Sequence, residues 1–144
     1  MKTRLLLAVA LLAGSTAVGC HFASRNPPTS QTLEVAMGDV LKQNAITQDV
    51  TLGVGHTLTL RLGSNYTTPY RWTINTKIGD PSVVKQTSHA FVQPTSDALG
   101  APGSEVWTFE ALKPGKTTIT TAYSSIVGKD SKTACTYTAN VTVQ

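Results

Sequence analysis

The chain has 144 residues, 40% of them hydrophobic, enough for one buried core and one domain. Its formal net charge is +4, from 12 basic and 8 acidic residues that do not cluster, which excludes a nucleic-acid footprint. His21, His56 and His89 are scattered and the two cysteines, Cys20 and Cys135, lie far apart, so neither a metal site nor a catalytic constellation is spelled out.

Lys2 and Arg4 precede an apolar run from Leu5 to Leu12, then small residues and Ala17-Val18-Gly19-Cys20. A charged start, a short apolar stretch and small residues before a cleavage point make residues 1–19 a secretory signal. The run is too short to span a bilayer. Ala17-Val18-Gly19-Cys20 resembles a bacterial lipobox, whose consensus favours Leu where Ala17 stands. That resemblance implies lipidation of Cys20 and a protein anchored outside the cytoplasmic membrane, in the cell envelope or at the cell surface. The alternative is an ordinary secretory signal, with Cys20 paired to Cys135. Cleavage removes Lys2 and Arg4 and leaves ten basic against eight acidic groups. Residues 20–32 are polar, contain Pro27-Pro28 and have no periodicity, and they read as a flexible tether.

From 33 to 144 the signals are those of strands and turns. Leu33 to Met37 alternates as a strand does, although Leu33, Met37 and Val40 also fit a short helix. Ile46 to Leu52 reads as a strand and Gly53-Val54-Gly55-His56 as a turn. Leu58, Leu60 and Leu62 form an inward face, and Tyr70, Trp72 and Ile74 follow at the same period. Trp72, on a middle strand, reads as core. Val83 to Phe91 and Glu105 to Ala111 are further strands, the second with Trp107, Phe109 and Ala111 on one face. Lys113-Pro114-Gly115-Lys116 is a tight turn. Thr117 to Tyr123 and Ala134 to Val143 complete the set, with Cys135, Tyr137, Ala139, Val141 and Val143 facing inward. Cys135 is then a buried, inert thiol. Many short β-branched strands between Gly and Pro turns, with no 12-residue helix, indicate an all-β, immunoglobulin-like sandwich.

The segment Asn65-Tyr66-Thr67-Thr68-Pro69-Tyr70-Arg71-Trp72 resembles the first inhibitory loop of the chagasin-type inhibitors of cysteine peptidases (inhibitor family I42), with the pattern N-P-T-T-G-Y-x-W. Val54 to Leu60 resembles the family's V-G-D-T-L-T lead-in, with His56 in place of Asp. Glu105 to Gly115 is similar to its strand-and-turn segment ahead of the third loop. The resemblance runs over 33–144. It implies a sandwich with three loops at one end that wedge across a papain-like active-site cleft, with no cofactor. By position, it assigns Asn65, Tyr66, Thr67, Thr68 and Pro69 to the first binding loop. Gly100, Ala101, Pro102 and Gly103 fall in the second, and Ser125, Ile126 and Val127 in the third.

The departures are specific. Pro69 stands where the family has a Gly able to take positive φ; it lacks an N–H donor and pushes Thr68 toward extended geometry. Tyr66 replaces the family's Pro with a large aromatic, expected to be exposed as a hot spot or a clash. The third loop has Ile126 and Val127 in place of an Arg-Pro-aromatic sequence. The leading expectation is a monomeric, lipid-anchored, reversible inhibitor of a papain-like cysteine peptidase, not an enzyme. The alternative is a lipid-anchored binding or structural module with rewritten loops.

Overall fold

Apolar side chains at every second position, interrupted by Gly, Pro and Asn, favour short strands that bury one face. The computed structural model describes residues 29–144; the expected signal, Cys20 and most of the tether lie outside the described residues. In chain order the elements are β1 (Gln31–Val35), α1 (Met37–Lys42), β2 (Ala45–Leu52), β3 (Thr57–Ser64), β4 (Tyr70–Trp72), β5 (Lys77–Ile78), β6 (Val84–Val92), β7 (Gly103–Ala111), β8 (Gly115–Ser125) and β9 (Thr133–Val143). One sheet runs β1-β3-β7-β6. The other runs β2-β9-β8-β4, with β5 also paired to β8. The expected all-β sandwich is the observed fold.

The two inward faces meet in one core. Leu58, Leu60, Leu62, Trp107 and Phe109 from the first sheet are fully buried, as are Leu52, Ile119, Cys135, Tyr137 and Ala139 from the second. Burial pushes the Cys135 thiol up, away from the reactive thiolate. Three large buried aromatics deliver their polar atoms to partners. Trp72 Nε1 donates to the Gly63 carbonyl at 2.9 Å, Trp107 Nε1 to the Ile74 carbonyl at 2.8 Å, and the Tyr137 hydroxyl to Gln48 Oε1 at 2.8 Å. Trp72 is therefore core, as its position on the strand indicates.

Three sequence expectations change. The first strand begins at Gln31, and Ser30 Oγ accepts from the Thr57 amide at 3.0 Å, so the last residues of the expected 20–32 tether belong to the domain. Parallel pairing of Gln31 with Leu58 holds them through backbone, which side-chain alternation does not report. The strand also ends at Val35, and Met37 to Lys42 turns into a helix that buries Val40. That helix packs directly on β3, because a Cβ at Gly63 would lie 2.3 Å from the Met37 nitrogen. Finally, Ile74 does not continue the inward face of Tyr70 and Trp72. The strand stops at Trp72 and Ile74 is 52% exposed.

The register fixes the two poles. Ser64 pairs with Gly103, Val92 with Ser104, Tyr70 with Ser125, and Ser124 with Thr133. The connections 65–69, 93–102 and 126–132 therefore leave their strands at one pole. Gln31, opposite Leu58 at the start of β3, enters at the other.

Gly63→Ala is expected to lower unfolding free energy by about 1–3 kcal/mol, the usual range for an inserted methyl with no room. Gly38→Ala, where nothing lies within 4 Å of the added Cβ, should be neutral or gain up to about 1 kcal/mol from helix propensity. Urea denaturation of both variants checks the pair.

Candidate functional site

Residues 65–69 leave β3 with no ladder to continue, and Asn65 closes them into a turn. Its Oδ1 accepts from the Thr67 amide at 3.0 Å and the Thr67 hydroxyl at 2.7 Å. Its carbonyl accepts from the Thr68 amide at 3.1 Å and the Thr68 hydroxyl at 2.8 Å. This is side-chain capping of a turn by Asn, with both threonine hydroxyls used locally. Arg71, just past the turn, sends one guanidinium nitrogen to the carbonyls of Thr68 (2.6 Å) and Tyr70 (2.7 Å). Its other nitrogen reaches the carbonyl of Tyr66 (3.1 Å). No residue other than glycine has positive φ among those described, so Pro69 occupies a position whose geometry it can adopt.

Tyr66 is exposed, as expected, and its ring is held in place by its neighbours. The residue is 42% exposed, yet its ring lies flat on Phe91, with centroids 3.8 Å apart and planes 12° apart. The Arg71 guanidinium sits 4.0 Å from the ring centre, necessarily on the opposite face. The hydroxyl points inward and donates to Glu105 Oε1 at 2.5 Å. Glu105 is 1% exposed, and its other oxygen meets His89 Nε2 at 2.5 Å. Burial raises the Tyr66 phenol to about 12, aided by the hydrogen bond to Glu105 and its negative charge, with Arg71 acting the other way.

The three connections converge. Asn65 Nδ2 donates to the Gly100 carbonyl at 3.1 Å, tying the first loop to the second. The Ile126 amide donates to the Pro69 carbonyl at 2.9 Å, tying it to the third. Gly100 takes a left-handed backbone (φ 76°) and, like Pro102, is exposed, while Ala101 is half-buried. Ile126 and Val127 are 64% and 59% exposed at the tip of the third loop.

Two of the expected loop residues stand elsewhere. Gly103 is the buried first residue of β7, where a Cβ would meet the Val92 carbonyl at 2.4 Å and the Phe91 ring at 2.6 Å. It makes room for the ring under Tyr66 and is not a surface contact. Ser125 ends β8, and its hydroxyl accepts from the Val127 amide at 3.3 Å, shaping the third loop from below.

Sequence reading missed four contributors. Leu99 is fully exposed on the second loop, immediately before the Gly100–Gly103 stretch that the resemblance assigned to binding. Glu105 lies on the inward register of Trp107 and Phe109, and an acid at an inward position is itself a signal of a required partner. Arg71, between Tyr70 and Trp72, carries no pattern of its own. The helix adds Leu41, 70% exposed, beside a groove of about 430 Å³ that Met37, Thr68, Pro69, Tyr70 and Tyr123 also line. Among the described residues, no group of three or more His, Cys, Asp or Glu side chains is placed to hold a metal ion.

The chagasin family peptidase inhibitor (I42) model matches residues 51–141. The fold is similar to that of the cysteine protease inhibitor EhICP2 from Entamoeba histolytica. The TM-score is 0.60 at 18% identity, over 81% of this chain and 99% of that one. It is also similar to PbICP-C, solved in complex with falcipain-2 (TM-score 0.58, 22% identity, 81% of this chain and 99% of that one). Amebosin, known from a solution structure, gives 0.51 at 20% identity, over 83% and 100%. At these identities the likeness is one of fold. No curated protein matches the chain.

Ultraviolet difference titration of the native chain against Tyr66→Phe isolates one of four phenols. Its midpoint is expected near 12, against an ordinary value of 10.0. The sign follows: below pH 10 the phenol is neutral whether the chain is folded or not. Between 10 and 12 the unfolded chain ionises first, so this contribution to stability is lost across that window. A midpoint at the ordinary value would mean that Glu105 does not hold the hydroxyl.

Proposed function

The chain belongs to the chagasin family of peptidase inhibitors, not to a family of enzymes, and on that premise we propose that it reversibly inhibits papain-like cysteine peptidases by inserting its loop end into the active-site cleft. The observation that carries this reading is the pair of bonds from the first loop to its neighbours, Asn65 to Gly100 and Ile126 to Pro69. They join three separate connections into one surface. At its centre stands the turn of Thr67, Thr68 and Pro69, flanked by Leu99 on one side and Ile126 with Val127 on the other.

The chemistry is that of occupation without reaction. A peptide is cleaved when its carbonyl is presented to the nucleophile and can distort toward a tetrahedral centre. Here Arg71 and Asn65 hold the backbone of the turn in place, including the carbonyls of Tyr66 and Thr68. The flanking contacts are aliphatic, and the interface has no large aromatic from its third loop. Such an anchor contributes about 2 kcal/mol or more when present.

Thr68→Arg, which puts a long cation into the centre of the surface, is expected to weaken inhibition of papain or cathepsin L by at least about a hundredfold. Ile126→Ala should weaken it about tenfold. Inhibition constants measured at several substrate concentrations check both. No inhibition by the native chain at micromolar concentration would overturn the reading. Binding to another partner that survives changes at Thr67 and Thr68 would favour a surface module with rewritten loops.

We propose further that the chain is secreted and held to a membrane by lipid on Cys20, with the described domain acting as a monomer. The lipobox-like Ala17-Val18-Gly19-Cys20 supports this, as does the point of entry. Gln31 joins the fold at the pole opposite the loops, so a tether of about ten residues, at most about 33 Å long, leaves the loop end facing away from the membrane. In the producing cell, Cys20→Ser should abolish incorporation of labelled fatty acid and shift the protein to the soluble fraction. Unchanged fractionation would overturn the anchor.

A further inference from the structure

We infer that Glu105 is a positioning residue for peptidase binding, acting through Tyr66 to hold the first loop in its inserting shape before any partner arrives. The inference rests on the inhibitor reading and specifies how its central loop is kept ready.

The first argument concerns where the carboxylate sits. Glu105 shares its strand face with Trp107, Phe109 and Ala111, all buried and apolar. A buried acid in such a row is destabilising unless both oxygens are engaged. Both are: Oε2 by His89 from β6 and Oε1 by the Tyr66 hydroxyl from the first loop. A core position has no intrinsic need of an acid. What this one adds is a fixed acceptor beneath a loop that otherwise lacks a sheet to join.

The second argument concerns what Tyr66 transmits. Its ring is clamped between Phe91 and the Arg71 guanidinium. Arg71 in turn binds the carbonyls of Tyr66, Thr68 and Tyr70. The hydroxyl at the inner edge of the ring fixes its depth, and the clamp passes that position to the backbone of the turn. Thr67 and Thr68, at the centre of the proposed contact surface, are thereby set by a carboxylate that touches neither.

A merely structural role and a positioning role separate experimentally. In the full mature chain without any peptidase, Tyr66→Phe keeps the ring stack and removes only the bond to Glu105. It should speed amide exchange at Thr67 and Thr68 about tenfold, as expected for loss of one charge-assisted hydrogen bond. Exchange in the β7 and β8 cores should not change. The same variant should weaken inhibition of papain about tenfold. Glu105→Gln, which offers Tyr66 an uncharged oxygen in place of the carboxylate, should show part of the same change, about threefold in both readouts. Combining Tyr66→Phe with Glu105→Gln should add little to Tyr66→Phe alone. Faster exchange throughout β6 and β7, or unchanged exchange at Thr67 and Thr68, overturns the inference. If the native chain inhibits no peptidase, the inhibitor reading fails and the positioning role of Glu105 with it, whereas a native inhibitor indifferent to Tyr66→Phe sinks the positioning role alone.

Discussion

A loop that leaves the last bonded pair of a sheet has no ladder to hold it, and the side chain of Asn65 supplies the substitute. One amide group does two things. Its oxygen folds residues 65–68 into a turn through Thr67, and its nitrogen binds the Gly100 carbonyl of the neighbouring connection. Asp at this position would lose the donor and present a charge to a carbonyl; Ser would be too short to span the two loops. The three connections become one surface because a residue with both a donor and an acceptor stands at the exit of β3.

The departures from the family pattern become intelligible on this frame. A Pro-to-Tyr and a Gly-to-Pro exchange in five residues remove both of the family loop's conformational devices. Yet the turn contains no positive φ, so Pro69 meets no strain, and its carbonyl remains free to accept from Ile126. Rigidity lost at the first exchange returns through Tyr66, whose ring, hydroxyl and carbonyl each have a fixed partner. Backbone restriction has been exchanged for a side-chain clamp. The clamp also explains why Gly103 lacks a side chain: a Cβ there would displace Phe91, the floor of the stack.

Much of the sandwich was legible because alternation reports burial directly. Leu58, Leu60 and Leu62, or Tyr137, Ala139 and Val141, can face only one way once one side is buried. What escaped notice were features set by neighbours distant in sequence. The helix at Met37 depends on Gly63 leaving space, and Ile74 lies past the end of β4, where its carbonyl accepts from the distant Trp107. The loop residues were located by motif, but the roles of Tyr66 and Gly103 depend on Phe91 and Glu105, 25 or more positions away from Tyr66 and not joined to it by any period. Glu105 itself was readable in principle, since an acid in step with Trp107 and Phe109 violates the pattern of its own strand.

The balance of binding energy follows from the same clamp. Without an aromatic in the third loop, the proposed contact forgoes about 2 kcal/mol that such an anchor contributes at an interface. Ordering a flexible loop on binding costs on the order of 1 kcal/mol per residue in backbone entropy. A five-residue turn already held by Asn65, Arg71 and Tyr66 avoids part of that cost, and restricting two or three residues beforehand offsets the missing anchor. The exposed aliphatic groups of Leu99, Ile126 and Val127 then need only exclude water around the turn. Affinity on this arrangement resides in loop order as well as in contact area, so the buried carboxylate beneath the loop contributes to binding without touching the partner.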